Sequence, residues 1–215
     1  MSRAYFVTGT DTGVGKTLVA AALLRAAAAQ GLRALGMKPV AAGGDEDVEA
    51  LIAASNVAAP RELIHPYLLR EPLSPHLAAR RDGITIDLEV IAHRCDALRG
   101  LADFLVVEGA GGFRVPLSAT LDGADLAARL GLPLVLVVGL RLGCLNHALL
   151  TAEAIRARGL ALAGWVACQV EPAMAGVAEN IDTLRARLQA PPLGVVPFLD
   201  EPDPARVALQ LELPS

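Results

Sequence analysis

Residues 9–17 read GTDTGVGKT, directly behind the hydrophobic run Ala4-Tyr5-Phe6-Val7 and ahead of a long segment rich in alanine and leucine. A glycine-rich turn between a strand and a helix lets several backbone amides approach an anion, and the helix N-terminus adds partial positive charge. Lys16 supplies an ammonium for the outer phosphates of a nucleotide. Thr17 supplies a hydroxyl for a phosphate-bound magnesium ion. The usual GxxxxGKT form has glycine at position 10, where this chain has Thr10, with Gly9 one residue further back, so the loop is a variant. A plain turn carrying a surface lysine is the rival reading; the strand before and the helix after favour nucleotide binding.

Ligands of open α/β sheets gather outside the carboxyl ends of the strands, which directs attention to polar residues there. Lys38, in GMKPV, is either a solvated strand end or a cation of the site. Glu108, in LVVEGAGG, is either a helix-cap partner or a metal ligand, and beside a phosphate loop the metal reading is preferred. Asp47, in GGDEDVEAL, fits an N-cap and a metal ligand equally well. Gly143, Cys144 and Leu145 precede a helix expected to start near Asn146, so their amides either only cap that helix or hold an anion such as a carboxylate. His65, His76, His93 and His147 have no ligand spacing, and none is assigned to a metal.

The elements that must position these residues follow from hydrophobic patterning. Continuous apolar runs at 5–8, 34–38, 104–107, 134–138, 162–167 and 194–196 predict strands buried on both faces. Helices are expected at 16–30, 47–54, 87–99, 124–130, 146–158 and 177–188. The alternation predicts one doubly wound P-loop α/β domain over residues 1–215, with a mainly parallel sheet and helices on both faces. Residues 56–86, with Pro60, Pro66, Pro72 and Pro75, break the rhythm and are expected to form an irregular surface excursion of the kind that carries ligand contacts.

Composition narrows the function classes. The 215 residues are 53% hydrophobic with few aromatics, enough for a sizeable core of helices on a sheet. A net charge of −4 without a basic run argues against a nucleic-acid partner. Cys95, Cys144 and Cys168 lack paired spacing and are expected to be free thiols. With no targeting pattern or membrane-length apolar run, a cytoplasmic protein with no membrane partner is expected.

GTDTGVGKT, MKPVAAG, EPLSPH, VEGAGG, RLGCLNHALLTAEAI and GWVACQV resemble, in order and across nearly the whole chain, the successive blocks of the ATP-dependent dethiobiotin synthetases. The resemblance implies a homodimeric ligase acting on 7,8-diaminopelargonic acid, carbon dioxide or bicarbonate, and ATP with Mg2+. One amine captures carbon dioxide, ATP phosphorylates the carbamate, and the second amine displaces phosphate to close the ureido ring. By position, Lys16 and Lys38 match the loop and catalytic lysines, and Thr12 lies where the carbamate is approached. Thr17, Asp47 and Glu108 match the magnesium-linked residues. Gly13, Val14, Gly15, Lys16, Thr17 and Leu18 match the phosphate loop, and Glu108, Gly109, Ala110 and Gly111 a second nucleotide-contacting turn. Gly143, Cys144, Leu145 and Asn146 match the turn that reaches the substrate carboxylate across the dimer, and Pro197, Phe198 and Leu199 the wall around the base.

Two departures stand out. Ala42 replaces a common serine at the substrate. Cys168 and Gln169 replace an Asn-Asp pair at the base, which predicts relaxed choice among nucleoside triphosphates. Two rivals are weighed. A corrinoid-acid amidoligase would need a second domain for which 215 residues leave no room. A partition or placement ATPase tends to carry an extra lysine early in the loop, where Thr10 and Asp11 stand, and often a basic tail in place of the acidic EPDPARVALQLELPS.

Overall fold

The structure, a computed structural model, describes residues 2–215. In chain order its elements are β1 (Arg3–Gly9), α1 (Lys16–Ala29), β2 (Ala34–Met37), β3 (Val40–Ala42), α2 (Glu46–Ala54), α3 (Arg61–Ile64), β4 (Tyr67–Leu69), α4 (Pro75–Asp82), α5 (Leu88–Arg99), β5 (Phe104–Gly112), α6 (Gly123–Leu130), β6 (Leu134–Leu140), α7 (Cys144–Ala157), β7 (Leu162–Gln169), α8 (Val177–Arg187), β8 (Pro192–Val196) and α9 (Pro204–Ala208). Six strands form one sheet in the order β2-β5-β1-β6-β7-β8, every pairing parallel. β1 lies in the middle, and the chain winds outward from it in both directions, so the loop after β1 sits at a topological switch point.

The unbroken apolar runs arise because both faces of the sheet are covered. Along β1, Ala4 and Phe6 pack towards α5 and α6, whereas Tyr5 and Val7 pack towards α1, α2 and α9. A further cluster joins β6 and β7 to α7 and α8, with Trp165 fully buried and its Nε1 donating to the Ala190 carbonyl at 3.1 Å. The outer edge of β2 is blunted, since the Gly36 and Ala34 amides donate to Ser55 Oγ and Asn56 Oδ1.

Residues 56–86 differ from the irregular path expected of them. They contain α3, β4 and α4, and β4 pairs in parallel with β3 to make a separate two-stranded sheet. Elements this short lack a readable period, and the prolines mark their boundaries: Pro60 caps α3, and Pro75 opens α4 where no backbone donor is needed. Strand ends also run further than expected, β5 through Glu108 to Gly112 and β7 to Gln169, because polar and glycine residues at functional ends hide the pattern. Helix α9, capped by Asp203 and opened by Pro204, has only five residues and shows no readable period.

Gly139 of β6 lies directly beneath the β1–α1 loop. A Cβ there would stand 2.7 Å from Val14 Cγ1 and 3.0 Å from Val14 Cβ. We expect Gly139→Ala to destabilise the fold by about 1–3 kcal/mol through overpacking, read by urea denaturation, and to weaken nucleotide binding by lifting the loop.

Candidate functional site

The β1–α1 loop ends in two left-handed glycines, Gly13 at φ 71° and Gly15 at φ 92°, a conformation that admits little but glycine. Gly15 is the N-cap of α1, and no side chain caps that helix. Helices α5, α6 and α9 are each capped by an aspartate, so the first-turn amides of α1 are left available to a ligand. Lys16 opens α1 and folds back, its Nζ donating to the Asp11 carbonyl at 3.0 Å.

Facing the loop is a compact charged cluster. Lys38 Nζ lies 2.6 Å from both Asp47 Oδ2 and Glu108 Oε1, and Thr17 Oγ1 lies 2.8 Å from both Asp47 Oδ1 and Glu108 Oε1. Three open questions of the sequence are thereby answered. Lys38 is no solvated strand end, being 3% exposed. Asp47 is no N-cap: Asp45 precedes α2, and the Asp47 carboxylate reaches across to Thr17 and Lys38. Glu108 caps no helix; it sits within β5, fully buried, with both donors on one oxygen.

Burial dominates the electrostatics. It lowers the Lys16 ammonium, against the pull of Glu108. It also opposes the charge on Lys38, but Glu108 and Asp47 outweigh it and hold that ammonium above its ordinary value. Burial likewise opposes the Asp47 carboxylate, which Lys38 and Thr17 nevertheless keep below the usual range. Glu108 is drawn upward by burial, and Lys38 only partly offsets this. The rise at Glu108 favours a protonated carboxyl while the rise at Lys38 favours an ion pair. The short Lys38 Nζ contact at Oε1 favours the ion pair, while the single Thr17 hydroxyl proton serves only one of the two carboxylates at a time.

The cluster's chemistry suits a cation. Glu108 Oε2 is buried without a hydrogen-bond partner, and the Lys38 ammonium already stands as a positive charge between the two carboxylates. Among the described residues no group of three or more His, Cys, Asp or Glu could hold a metal. Two carboxylates and a hydroxyl, with room for water, are the oxygen donors that magnesium accepts.

A cavity of about 860 Å³ opens over the cluster and gathers Thr12, Gly13, Gly15, Lys16, Thr17, Leu18, Lys38, Ala42, Asp47, Glu108, Ala110 and Gly111, all anticipated from sequence. Gly43, Gly44 and Val115, not singled out in the sequence, also line it, as do Pro72, Leu73, Ser74 and Pro75 of the excursion expected to carry ligand contacts. Other anticipated residues lie apart from this cavity. Val14 is buried against Gly9 and Gly139 and holds the loop down, and Gly109 borders a small apolar void with Phe6, Pro39 and Phe113. Cys168 is buried under Gly15, its thiol pushed up to about 12 by burial. Gln169 donates its amide to the Glu171 and Pro172 carbonyls at 3.1 and 3.3 Å. Pro197, Phe198 and Leu199 follow β8 on the same edge of the sheet.

Helix α7 begins at Cys144, not near Asn146, and Gly143 caps it at φ 93° with no side-chain cap, so its first amides are also open. Cys144 points inward towards Asn180, whereas Leu142 beside the turn is 97% exposed. An ion pair from Arg141 to Asp11 ties this turn to the phosphate loop. Sequence placed Asp11 and Arg141 in its motif blocks but did not pair them, and gave no role to His65, whose ring stands behind Lys38.

A glycine loop and Lys-Thr at the switch point of a parallel sheet, with two carboxylates and a buried lysine opposite, define a P-loop nucleotide-binding α/β protein. Residues 3–206 match a family model described as an AAA domain. ATP-dependent dethiobiotin synthetase BioD of Aromatoleum aromaticum is 53% identical, covering 99% of this chain and 98% of its own, and that of Ralstonia nicotianae is 58% identical over 94% and 92%. The chain belongs to the ATP-dependent dethiobiotin synthetases, the carbon–nitrogen cyclo-ligase family of biotin biosynthesis. Among solved structures it is similar to the septum site-determining protein MinD of Pyrococcus horikoshii, complexed with Mg-ADP (TM-score 0.61, 17% identity, 92% and 82% covered). It is also similar to a ParA family ATPase of Chlorobium tepidum (TM-score 0.56, 13% identity, 93% and 85% covered). Those likenesses show the fold alone, and the partition or placement ATPase reading is not favoured. No helix among the described residues is long and apolar enough to cross a membrane.

Proposed function

We propose that this chain, as one domain over residues 1–215, closes the ureido ring of dethiobiotin from 7,8-diaminopelargonic acid, carbon dioxide and ATP. The observation that carries the reading is the Lys38 ammonium, buried between Glu108 and Asp47 at the floor of the cavity that the phosphate loop overlooks. Carbamate and γ-phosphate are both anions, and their approach needs fixed positive charge and in-line positioning more than it needs bond-making groups from the protein.

Each residue then has a task. The amides from Gly13 to Leu18 cradle the phosphates, and Lys16 neutralises the outer ones. Thr17, Asp47 and Glu108 would hold Mg2+, which when bound spreads the charge of the phosphate tail. Lys38 offers its ammonium to the carbamate and the transferring phosphoryl group, and Thr12 lies at the carbamate's approach. A carbamate oxygen bonds to the γ-phosphorus as the bond to ADP breaks. The second amine then bonds to the carbamoyl carbon, phosphate departs with the electron pair of the carbon–oxygen bond, and the amine sheds its proton. Ala42 meets the substrate with a methyl group and offers no hydroxyl. Gly143, Cys144, Leu145 and Asn146, with open amides next to exposed Leu142, are placed to complete a partner's substrate site in a homodimer. A cytoplasmic enzyme fits this chemistry.

The test is direct: the pure protein is incubated with the diamine, bicarbonate, magnesium and each nucleoside triphosphate, and the product is weighed by mass spectrometry. Dethiobiotin is expected; its absence under every condition would sink the reading. Buried Cys168, and Gln169 with its amide turned to the Glu171 and Pro172 carbonyls, leave the base without a bidentate amide, and pocket shape discriminates by only about 1–3 kcal/mol. CTP, GTP and UTP should therefore support turnover within about 200-fold of ATP, the upper end of that range. A larger preference for ATP would mean that the base is read by another group.

A further inference from the structure

Lys38 stands one residue beyond β2, where the sheet ladder no longer supplies its backbone partners. Two consecutive residues take over. The Lys38 N–H donates to the Ile64 carbonyl at 2.9 Å, and the Lys38 carbonyl lies 2.7 Å from His65 Nδ1. Both partners come from the C-terminal end of α3 in the proline-bounded excursion. A carbonyl can only accept, so Nδ1 carries the proton in this contact. Burial lowers the ring's proton affinity, although the Lys38 carbonyl works the other way, and the neutral ring is left with Nε2 as an acceptor. That atom is buried and has no partner.

An orphaned buried acceptor is destabilising, and an apolar side chain of similar size would fill the space without it. What histidine adds here is the donor on the Lys38 peptide. We infer that His65 is a positioning residue for the ligase reaction, its Nδ1–H fixing the Lys38 peptide and so the root of the stem that carries the ammonium to the reacting anions. The stem has four rotatable carbons, and only a fixed root brings its tip to one place between Asp47 and Glu108. Displacement of a reacting group by about 1 Å costs about 10²-fold in rate, so an anchor of this kind acts on kcat. The inference rests on the reading of Lys38 as catalytic.

Asparagine and glutamine separate the two ring nitrogens. The amide nitrogen of His65→Asn falls near Nδ1 and keeps the donor, with its amide oxygen replacing Nε2 as the acceptor. The longer His65→Gln carries its amide towards Nε2 and leaves the Lys38 carbonyl unserved. With melting temperatures measured alongside, His65→Asn is expected to keep kcat within about threefold of the parent, and His65→Gln to lose about 10- to 100-fold in kcat with KM for ATP nearly unchanged. Should His65→Gln fail to fold, His65→Leu takes its place with the same expectation. Equal effects of the two substitutions would reduce His65 to packing, and an active His65→Gln beside a folded, inactive His65→Asn would move the role to Nε2; either result overturns the inference. Lys38→Met keeps the two claims apart. If it is inactive while the His65 variants behave alike, only the positioning role is lost; if it is active, the reading beneath it falls.

Discussion

Lys38→Met is expected to lower kcat by about 10²–10³ while leaving nucleotide affinity within a few-fold of the parent, an effect of about 3–4 kcal/mol on the barrier. Methionine keeps the length and apolar body of the stem, so the change isolates the ammonium. The charge sits 3% exposed on a floor of carboxylates, where low local polarity makes it worth far more than in water. In the proposed reading nucleotide affinity comes from another source, the first-turn amides of α1 and Lys16, which this substitution does not touch. Interactions made only at the reacting centre appear in kcat, and uniform ones appear in KM. Steady-state dethiobiotin formation beside a calorimetric nucleotide isotherm reads the two separately. An unchanged kcat would remove Lys38 from the chemistry, and a parallel loss of affinity would make it a binding residue.

The doubly wound sheet was legible because buried parallel strands are written as pure apolar runs, and 104–107 and 134–138 are such runs. The strand ends were not. Glu108 and the glycines after it belong to β5 yet look like a loop, since the sheet gives up its hydrophobic code where it meets the ligand. The excursion at 56–86 was opaque for a different reason. α3 has four residues and β4 three, too few for periodicity, and their order comes from packing on β3 and α5.

The site itself was half legible. Lys16 and Thr17 were fixed by a local motif, whereas Lys38, Asp47 and Glu108 were candidates whose bland readings could be dismissed only by seeing them meet. Nothing in GMKPV distinguishes a solvated lysine from one wedged between two acids, because the acids come from residues 47 and 108. The same limit hid His65 and the Arg141–Asp11 pair, which are tertiary contacts across 27 and 130 residues of chain. Cys168 illustrates the converse: its type announced a loss of base reading, and its burial under Gly15 shows that the thiol packs against the loop.

Glu108→Leu is expected to destabilise the protein by about 3–5 kcal/mol in urea with a chelator present, because it leaves a buried ammonium with one partner, Asp47, that is itself 46% exposed. Lys38→Met should cost less. The carboxyl it strands is already pushed upward by burial, so it can take a proton and become neutral. A carboxyl with a raised folded-state value favours folding fully below its unfolded value and loses that contribution as pH rises through the folded one, so the penalty of Lys38→Met is smallest at low pH and grows as pH rises. The double variant Lys38→Met/Glu108→Leu replaces both charges by apolar groups of similar volume and should recover most of the stability lost by Glu108→Leu, while remaining inactive. That recovery, added to the loss caused by Lys38→Met alone, is the coupling energy of the pair, and a double-mutant cycle measures it directly. Additive losses would mean that Lys38 and Glu108 hold the floor of the cavity independently, and would leave the ammonium's placement to Asp47 and to the backbone behind it.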